Sequence, residues 1–448
     1  MQPLATTTGP TTGPTTGPIA RPSARPTTGL CESHAHIPAH GRALSMLNLA
    51  TCSSDLECLD RLKAEASKLK AGEWVLAFGA RTESWTDRRW PTRAELDAAI
   101  PDRACAVMSF DHHAVCANSR AMTKGGFDEA SRDPAAGVIM RDARTGVATG
   151  LLLESAAYAV WNAAPEPAAA QRDEHVRLAL ADLTRHGFVE VHDLLSPDWL
   201  GPTLAALDDR GELPVRVKLF PAVARLARAV EASRSWRRDR VELAGGKLFA
   251  DGTLNSRTAW MLRPYADPLP EMPCGKPMAT REEIASALRL TESFGLPLAT
   301  HAIGDGAVRA VLDAVEEVGR EREKNSAGPR HRIEHAELID EADLGRFSRL
   351  RVVASVQPCH LLTDIEALTR SLPDRLGRVL PLRSLIDDGC EPGDLLVFGS
   401  DTPIVRANPE DSVLAATERR REAMAREESI APEQSITLEE AWRAFGGR

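Results

Sequence analysis

The 448-residue chain carries 55 Lys and Arg against 64 Asp and Glu, a net charge of −9, which excludes a broad nucleic-acid or anionic-membrane surface. Apolar residues make up 43% and charged residues 27%, the balance of a soluble globular enzyme long enough to bury a sizeable core. No apolar run approaches a membrane-spanning length, and the eight cysteines lack CxxC spacing, so they read as reduced thiols of a cytoplasmic protein rather than a disulfide framework or a zinc knuckle.

Residues 1–29 repeat Thr-Thr-Gly-Pro three times between Thr7 and Pro18 and predict a disordered tail, because such a segment buries too little apolar surface to offset its chain entropy. It has no apolar segment of the kind a secretory signal needs. The tail runs into Cys31-Glu32-Ser33-His34-Ala35-His36. On a strand, side chains two apart share a face, so His34 and His36 present two imidazoles together, half of a metal site. Two histidines alone also decorate ordinary surfaces and cores, and later residues must decide.

Residues 42–170 do not alternate strand and helix. They predict a helix over 55–70, a strand over 74–80, and a helix to Ile100 opened by a capping box of Thr92 and Glu95. A second strand over 104–110 and a hairpin pairing 137–140 with 150–153 complete an α/β insertion. Trp85 and Trp90 would belong to a lid or to the packing within this insertion. From residue 171 the pattern becomes regular. Strands are predicted over 188–193, 214–220, 246–250, 296–301, 332–335, 352–357 and 395–400. Helices over 171–186, 202–210, 281–294, 306–322 and 340–350 fall between most of them. With the histidine strand this makes eight units, and the predicted fold is α/β, a (β/α)8 TIM barrel. It would use residues 30–41 and 171–448, with 42–170 inserted after strand one. An open doubly wound sheet is the rival, but no Gly-rich phosphate loop follows the first strand.

Chemistry in such a barrel sits at the C-terminal ends of the strands. Those ends carry His34 and His36, Lys247, His301, His335 and Asp401. Each could singly be a hydrogen-bonded core residue or a helix cap. Together they place neutral imidazoles and a carboxylate at one mouth, a donor set suited to Zn²⁺ or another divalent first-row metal.

The longer motifs carry a resemblance. They are Gly246-Lys-Leu-Phe-Ala-Asp-Gly-Thr-Leu-Asn-Ser-Arg-Thr-Ala259, Thr300-His-Ala-Ile-Gly-Asp305, His331-Arg-Ile-Glu-His335 and Gly399-Ser-Asp-Thr-Pro403, with Glu73-Trp-Val-Leu and Pro91-Thr-Arg-Ala-Glu-Leu-Asp in the insertion. Over roughly residues 30–445 the chain resembles the amidohydrolase superfamily, and within it the amidohydrolase-3 branch that includes N-substituted formamide deformylase. The resemblance implies a metal-dependent hydrolase of a non-peptide, amide- or formamide-type carbon–nitrogen bond, with a small-molecule substrate. It implies one or two divalent ions, Zn²⁺ foremost, held by His34, His36, His301 and His335. Lys247 would be a carboxylated lysine bridging two metals. Asp401 would bind metal, take the proton of the attacking water and return it to the leaving amine, so that His335 and Asp401 stand at the reacting centre. His113 and His192 are candidates to face the oxyanion, Asp251 and Arg257 to hold polar substrate groups, and Trp85 to cover the pocket; each also reads as an ordinary packing or salt-bridge residue.

The chain departs from the branch in three ways. The usual terminal β-sandwich is not visible in either flank, which predicts a barrel-only form whose exposed side a homodimer partner would cover. Glu32 stands where Asp is usual, and His112 where Gly is frequent. The rival functions are another metal-dependent reaction on the same barrel, such as decarboxylation or isomerisation, and a non-catalytic binding homologue.

Overall fold

The computed structural model describes residues 29–82, 85–110, 114–134, 137–322 and 328–446. The predicted tail up to residue 28, His112 and His113 lie outside the described residues. The fold is mixed α/β. Nine parallel strands form two sheets. The first has four in the order Leu30–Ala35, Phe188–Leu194, Arg216–Phe220 and Val241–Leu243. The second has five, Gly246–Phe249, Leu298–Ala302, Arg332–His335, Val353–Val356 and Leu396–Phe398. Parallel bridges join the sheets at both flanks, Ala222 to Lys247 and Ala35 to Thr402. The hydrogen bonds there are Lys247 N to Pro221 O (2.8 Å), His36 N to Thr402 O (3.0 Å) and Asp401 N to His34 O (2.7 Å). The last two lay the two-histidine strand end directly beside Asp401.

Seven strands expected from residue 171 onward are present, with ends shifted by at most two residues and Arg332–His335 matching at both ends. The edge strand Val241–Leu243 was not expected. The helices Ile37–Ser45, Leu226–Trp236 and Pro358–Ser371 were also missed, and all three open without a side-chain cap, so the usual start signal is absent from the sequence. Where the signal exists, the structure uses it: Thr92 with Glu95 and Thr280 with Glu283 form complete capping boxes. The helix Asp305–Glu321 shows why these segments are helical against the sheet. Val308, Val311, Leu312, Val315 and Val318 recur every three or four residues and all are buried.

The short helix Ile37–Ser45 follows the histidine strand at once and fixes its end. It packs on the helix Ala169–Arg185 so closely that a Cβ on Gly41 would meet the His175 carbonyl oxygen at 1.7 Å. His40 bonds Asp182 on that helix through Nε2 (2.9 Å) and Thr402 through Nδ1 (2.9 Å), tying both flanks of the strand junction.

Residues 47–154 build a third, six-stranded sheet in the order Leu47–Asn48, Val75–Ala80, Cys105–Ser109, Ala114–Ala117, Ala148–Glu154 and Gly137–Arg141. The first three strands are parallel and the rest antiparallel, including the expected hairpin. Apolar clusters fill both faces, one around Trp74, Met108, Leu152 and Val160 and the other around Leu49, Leu62, Val75 and Trp85. No described helix is long and apolar enough to cross a membrane.

Candidate metal centre

Six side chains named from strand ends line or border one cavity of about 220 Å³: His36, Lys247, His301, His335 and Asp401 line it, and His34 lies directly behind Asp401. The imidazoles form a continuous cluster. Ring centroids are 5.5 Å apart for His34 and His36, 4.9 Å for His34 and His335, and 4.4 Å for His301 and His335. Asp401 Oδ1 lies 3.0 Å from His36 Nε2 and 3.4 Å from His34 Nε2.

The rings of His34, His36 and His301 are each oriented by a bond at one nitrogen, the arrangement that leaves a lone pair at the other for a metal. His34 Nδ1 bonds the Glu334 carboxylate at 2.8 Å, and His36 Nδ1 bonds the Leu194 carbonyl at 2.6 Å. His301 reverses the roles. Its Nε2 bonds the Gly252 carbonyl at 3.0 Å, so Nδ1 is the free atom. His335 Nδ1 and Lys247 Nζ are buried with no hydrogen-bond partner. An orphaned buried polar group costs roughly 1–3 kcal/mol, and a divalent cation would remove that cost at the His335 lone pair.

Electrostatics agree with a ligand role. Burial lowers His34 to about 4 and His301 to about 3, and pushes His335 well below the usual imidazole range, so these rings are neutral. Burial works the same way on His36, but the adjacent Asp401 outweighs it and raises the ring. Burial opposes ionisation of Asp401, yet the imidazoles of His34, His36 and His335 hold it well below the usual carboxylate range. Two groups of potential donor atoms lie within 4.8 Å of one another around it, His34–His36–Asp401 and His335–His360–Asp401. The donor set therefore fits a divalent metal.

The backbone is bent to make this possible. His335, Ala336 and Asp401 hold positive φ values of 71°, 43° and 60°. Non-glycine residues adopt such angles uncommonly, Asp and His more readily than Ala, and such residues gather at functional sites. Glu32, the departure from Asp, spans the strand junction. Its Oε1 accepts from His34 N (3.0 Å) and Ser400 N (2.8 Å), so the longer side chain ties the histidine strand to the Asp401 turn.

Gly399 has to be glycine here. A Cβ would stand 2.6 Å from His34 N and 2.8 Å from Glu32 Oε1. Gly399→Ala should cost about 1–3 kcal/mol of stability by overpacking and weaken metal retention several-fold. Unfolding in urea and a chelator-competition titration would read both, and wild-type values in both would show that the junction yields freely.

A model described as the Amidohydrolase family matches residues 27–448. The chain belongs to the Amidohydrolase family. It is 29% identical over 390 residues to YtcJ of Bacillus subtilis, covering 85% of this chain and 71% of that one. It is 25% identical over 439 residues to the N-substituted formamide deformylase of Arthrobacter pascens, covering 93% of this chain and 77% of that one. Among solved structures, an uncharacterized metal-dependent hydrolase from Pyrococcus horikoshii superposes with a TM-score of 0.73 at 27% identity, over 92% of this chain and 78% of that one.

Within this amidohydrolase-family chain, four of the five residues expected to touch substrate are placed outside the cavity lining. His192 points into the interior between the sheets, where Nδ1 accepts from Arg332 Nη1 (2.7 Å) and Nε2 meets Glu190 (3.0 Å). Asp251 accepts three backbone N–H groups, from Trp260 (2.9 Å), Ile303 (3.0 Å) and Gly304 (2.9 Å), and so clamps the loop over the site. Arg257 is paired with Asp267 at 2.8 Å. Trp85 is buried in the apolar cluster on one face of the six-stranded sheet. None of these four lines the cavity, and His113 lies outside the described residues.

The cavity wall was instead missed. Phe110 and Tyr158 reach it from the six-stranded-sheet region, and Phe249, Leu254, Ile303 and Ile404 complete an apolar side. Glu337, His360, Asp364 and Asn255 form a polar side. One signal for it was available. In Gln357-Pro-Cys-His360-Leu-Leu-Thr-Asp364, a His and an Asp four apart follow a strand end, which puts them on one helix face.

Proposed function

We propose that the two parallel sheets close into one (β/α)8 barrel formed by residues 30–41 and 171–448, with residues 42–170 as an insertion that walls the substrate pocket. The bridges at Ala222–Lys247 and Ala35–Thr402 support closure, and Phe110 and Tyr158 support the pocket role. We propose further that the chain hydrolyses a non-peptide carbon–nitrogen bond of an N-acyl amine, with N-formyl amines as the leading class. The observation that carries this is the convergence of His34, His36, Lys247, His301, His335 and Asp401 at one small cavity with two buried donor atoms unpartnered. The identity to N-substituted formamide deformylase supports the bond type.

When bound, a divalent ion, Zn²⁺ by preference of the imidazole-rich set, supplies a Lewis acid for the carbonyl and lowers the pKa of water toward about 7. His34, His36, His301, His335 and Asp401 would hold it. The Asp401 carboxylate is the group placed to accept the proton of the attacking water. The apolar wall excludes solvent and receives the N-substituent, while the clamp at Asp251 keeps the loop 252–260 in place above the site. Lys247 is read as the carbamate-forming residue. Burial lowers its amine to about 8, which raises the share of neutral amine able to take up carbon dioxide, and the resulting carbamate would be an anionic ligand.

Metal content of the purified protein, beside a His34→Ala/His36→Ala variant, tests this reading. About one or two equivalents of a divalent metal are expected in the wild type and none in the variant. The wild type should release amine from N-formyl amines and lose that activity to a chelator. Growth with carbon-13 bicarbonate should give a carbamate resonance that Lys247→Ala lacks. Absence of both metal and turnover, after growth with added metal and bicarbonate, would overturn it.

A further inference from the structure

His360 is the one imidazole of the cavity that the metal set does not need. It is the third residue of the helix Pro358–Ser371, which begins just beyond the strand Val353–Val356. Its Nδ1 lies 3.4 Å from Glu337 Oε1. Its Nε2 is buried, has no hydrogen-bond partner, and stands 4.0 Å from Asp401 Oδ2. Asp364 follows one turn later on the same face, fixed by Asn255 Nδ2 at 2.8 Å, and both residues line the cavity. A carboxylate thus orients one ring nitrogen while the other faces the place where substrate must sit. This is the geometry by which a His is held for proton transfer, and such contacts are often long until substrate is bound.

The chemistry needs such a group. An amide nitrogen leaves only as it gains a proton, because the free amide anion is too basic. Asp401, wedged between His34 and His36, is placed for the water side of the reaction. We infer that His360 is a catalytic residue that carries the proton from Asp401 to the leaving nitrogen, with Glu337 as its positioning residue. This rests on the hydrolysis proposed above. Water adds its oxygen to the carbonyl carbon, and one proton passes to the Asp401 carboxylate. That proton moves from Asp401 Oδ2 to His360 Nε2. The carbon–nitrogen bond then breaks, its electron pair stays on nitrogen, and nitrogen takes the Nε2 proton while the carbonyl re-forms. The sum is amide plus water to carboxylic acid plus amine, with Asp401 and His360 returned to their starting states.

The test is a series of N-formyl amines whose leaving groups run from nitroanilines, which depart readily, to alkylamines, which do not. His360→Gln should lose on the order of 10²-fold or more in kcat with alkylamine leaving groups and only a few-fold with nitroanilines. Its metal content should equal that of the wild type, which also shows that the site has folded. Glu337→Gln should tilt the series in the same direction by less. An equal loss across the series, or no loss, overturns the inference. So does loss of metal in His360→Gln, which would make His360 a ligand with His335 and Asp401 instead. A wild type that turns over none of the series counts against the hydrolase reading itself, whereas an active wild type with a flat variant profile counts against His360 alone.

Discussion

Asp401→Asn is expected to lower kcat/KM on an N-formyl amine by roughly 10²–10⁴-fold with the fold intact. The side chains have the same shape, and both Asp and Asn tolerate the left-handed backbone that Asp401 adopts at φ 60°. The backbone bond from Asp401 N to His34 O is untouched. What disappears is the charge facing the Nε2 atoms of His34 and His36, and with it the acceptor for the water proton. Asp401→Ala would add backbone strain to the chemical loss and so blur the two. Steady-state kinetics beside circular dichroism read the result. Activity within a few-fold of wild type would remove Asp401 as the proton acceptor.

Arg332→Leu is expected to destabilise the protein by about 3–5 kcal/mol, the cost of breaking a buried ion pair from one side. The Arg332 guanidinium is buried and fully engaged. Its Nε bonds Glu334 at 2.8 Å, Nη2 bonds the Ser33 carbonyl at 2.8 Å and Ser355 at 2.9 Å, and Nη1 bonds His192 at 2.7 Å. Glu334 in turn holds His34 Nδ1. Burial alone would favour the protonated acid, but Arg332 and His34 hold Glu334 well below the usual carboxylate range. Removing the guanidinium strands that charge and frees the His34 ring, so metal affinity should also fall roughly 10–100-fold. Arg332→Leu/Glu334→Leu separates the two effects. It removes the stranded charge and should regain much of the stability, yet His34 still lacks its acceptor, so metal affinity should stay low. Urea unfolding and chelator competition on both variants decide. Equal stability of the single and double variants would show that Arg332 and Glu334 do not act as a unit.

Five residues of the cavity lining, His36, Lys247, His301, His335 and Asp401, are legible in the sequence. His34, His301, His335 and Asp401 lie at or just past strand ends that local patterns mark, whereas Lys247 is the second residue of its strand Gly246–Phe249. Helix starts are legible at Thr92 and Thr280, which supply capping boxes, whereas the helix Pro358–Ser371 opens without a side-chain cap and was not expected. The loss of that helix hid His360, since its place on a face could not be assigned without it.

By itself, then, the sequence determined which residues face inward at each strand end and in what order the elements come, because both follow from short-range periodicity. Depth and partnership were decided only by the tertiary structure. Side-chain alternation says which face of its strand His192 occupies, but periodicity does not say which distant residue it will meet there. His192 lands outside the cavity lining, on Arg332, 140 residues away. The same holds for Glu334 on His34, 300 residues apart, and for Asp251, whose donors come from residues 260, 303 and 304. Those contacts form because distant strands are brought side by side by burial of their apolar faces, a long-range condition that no local pattern encodes.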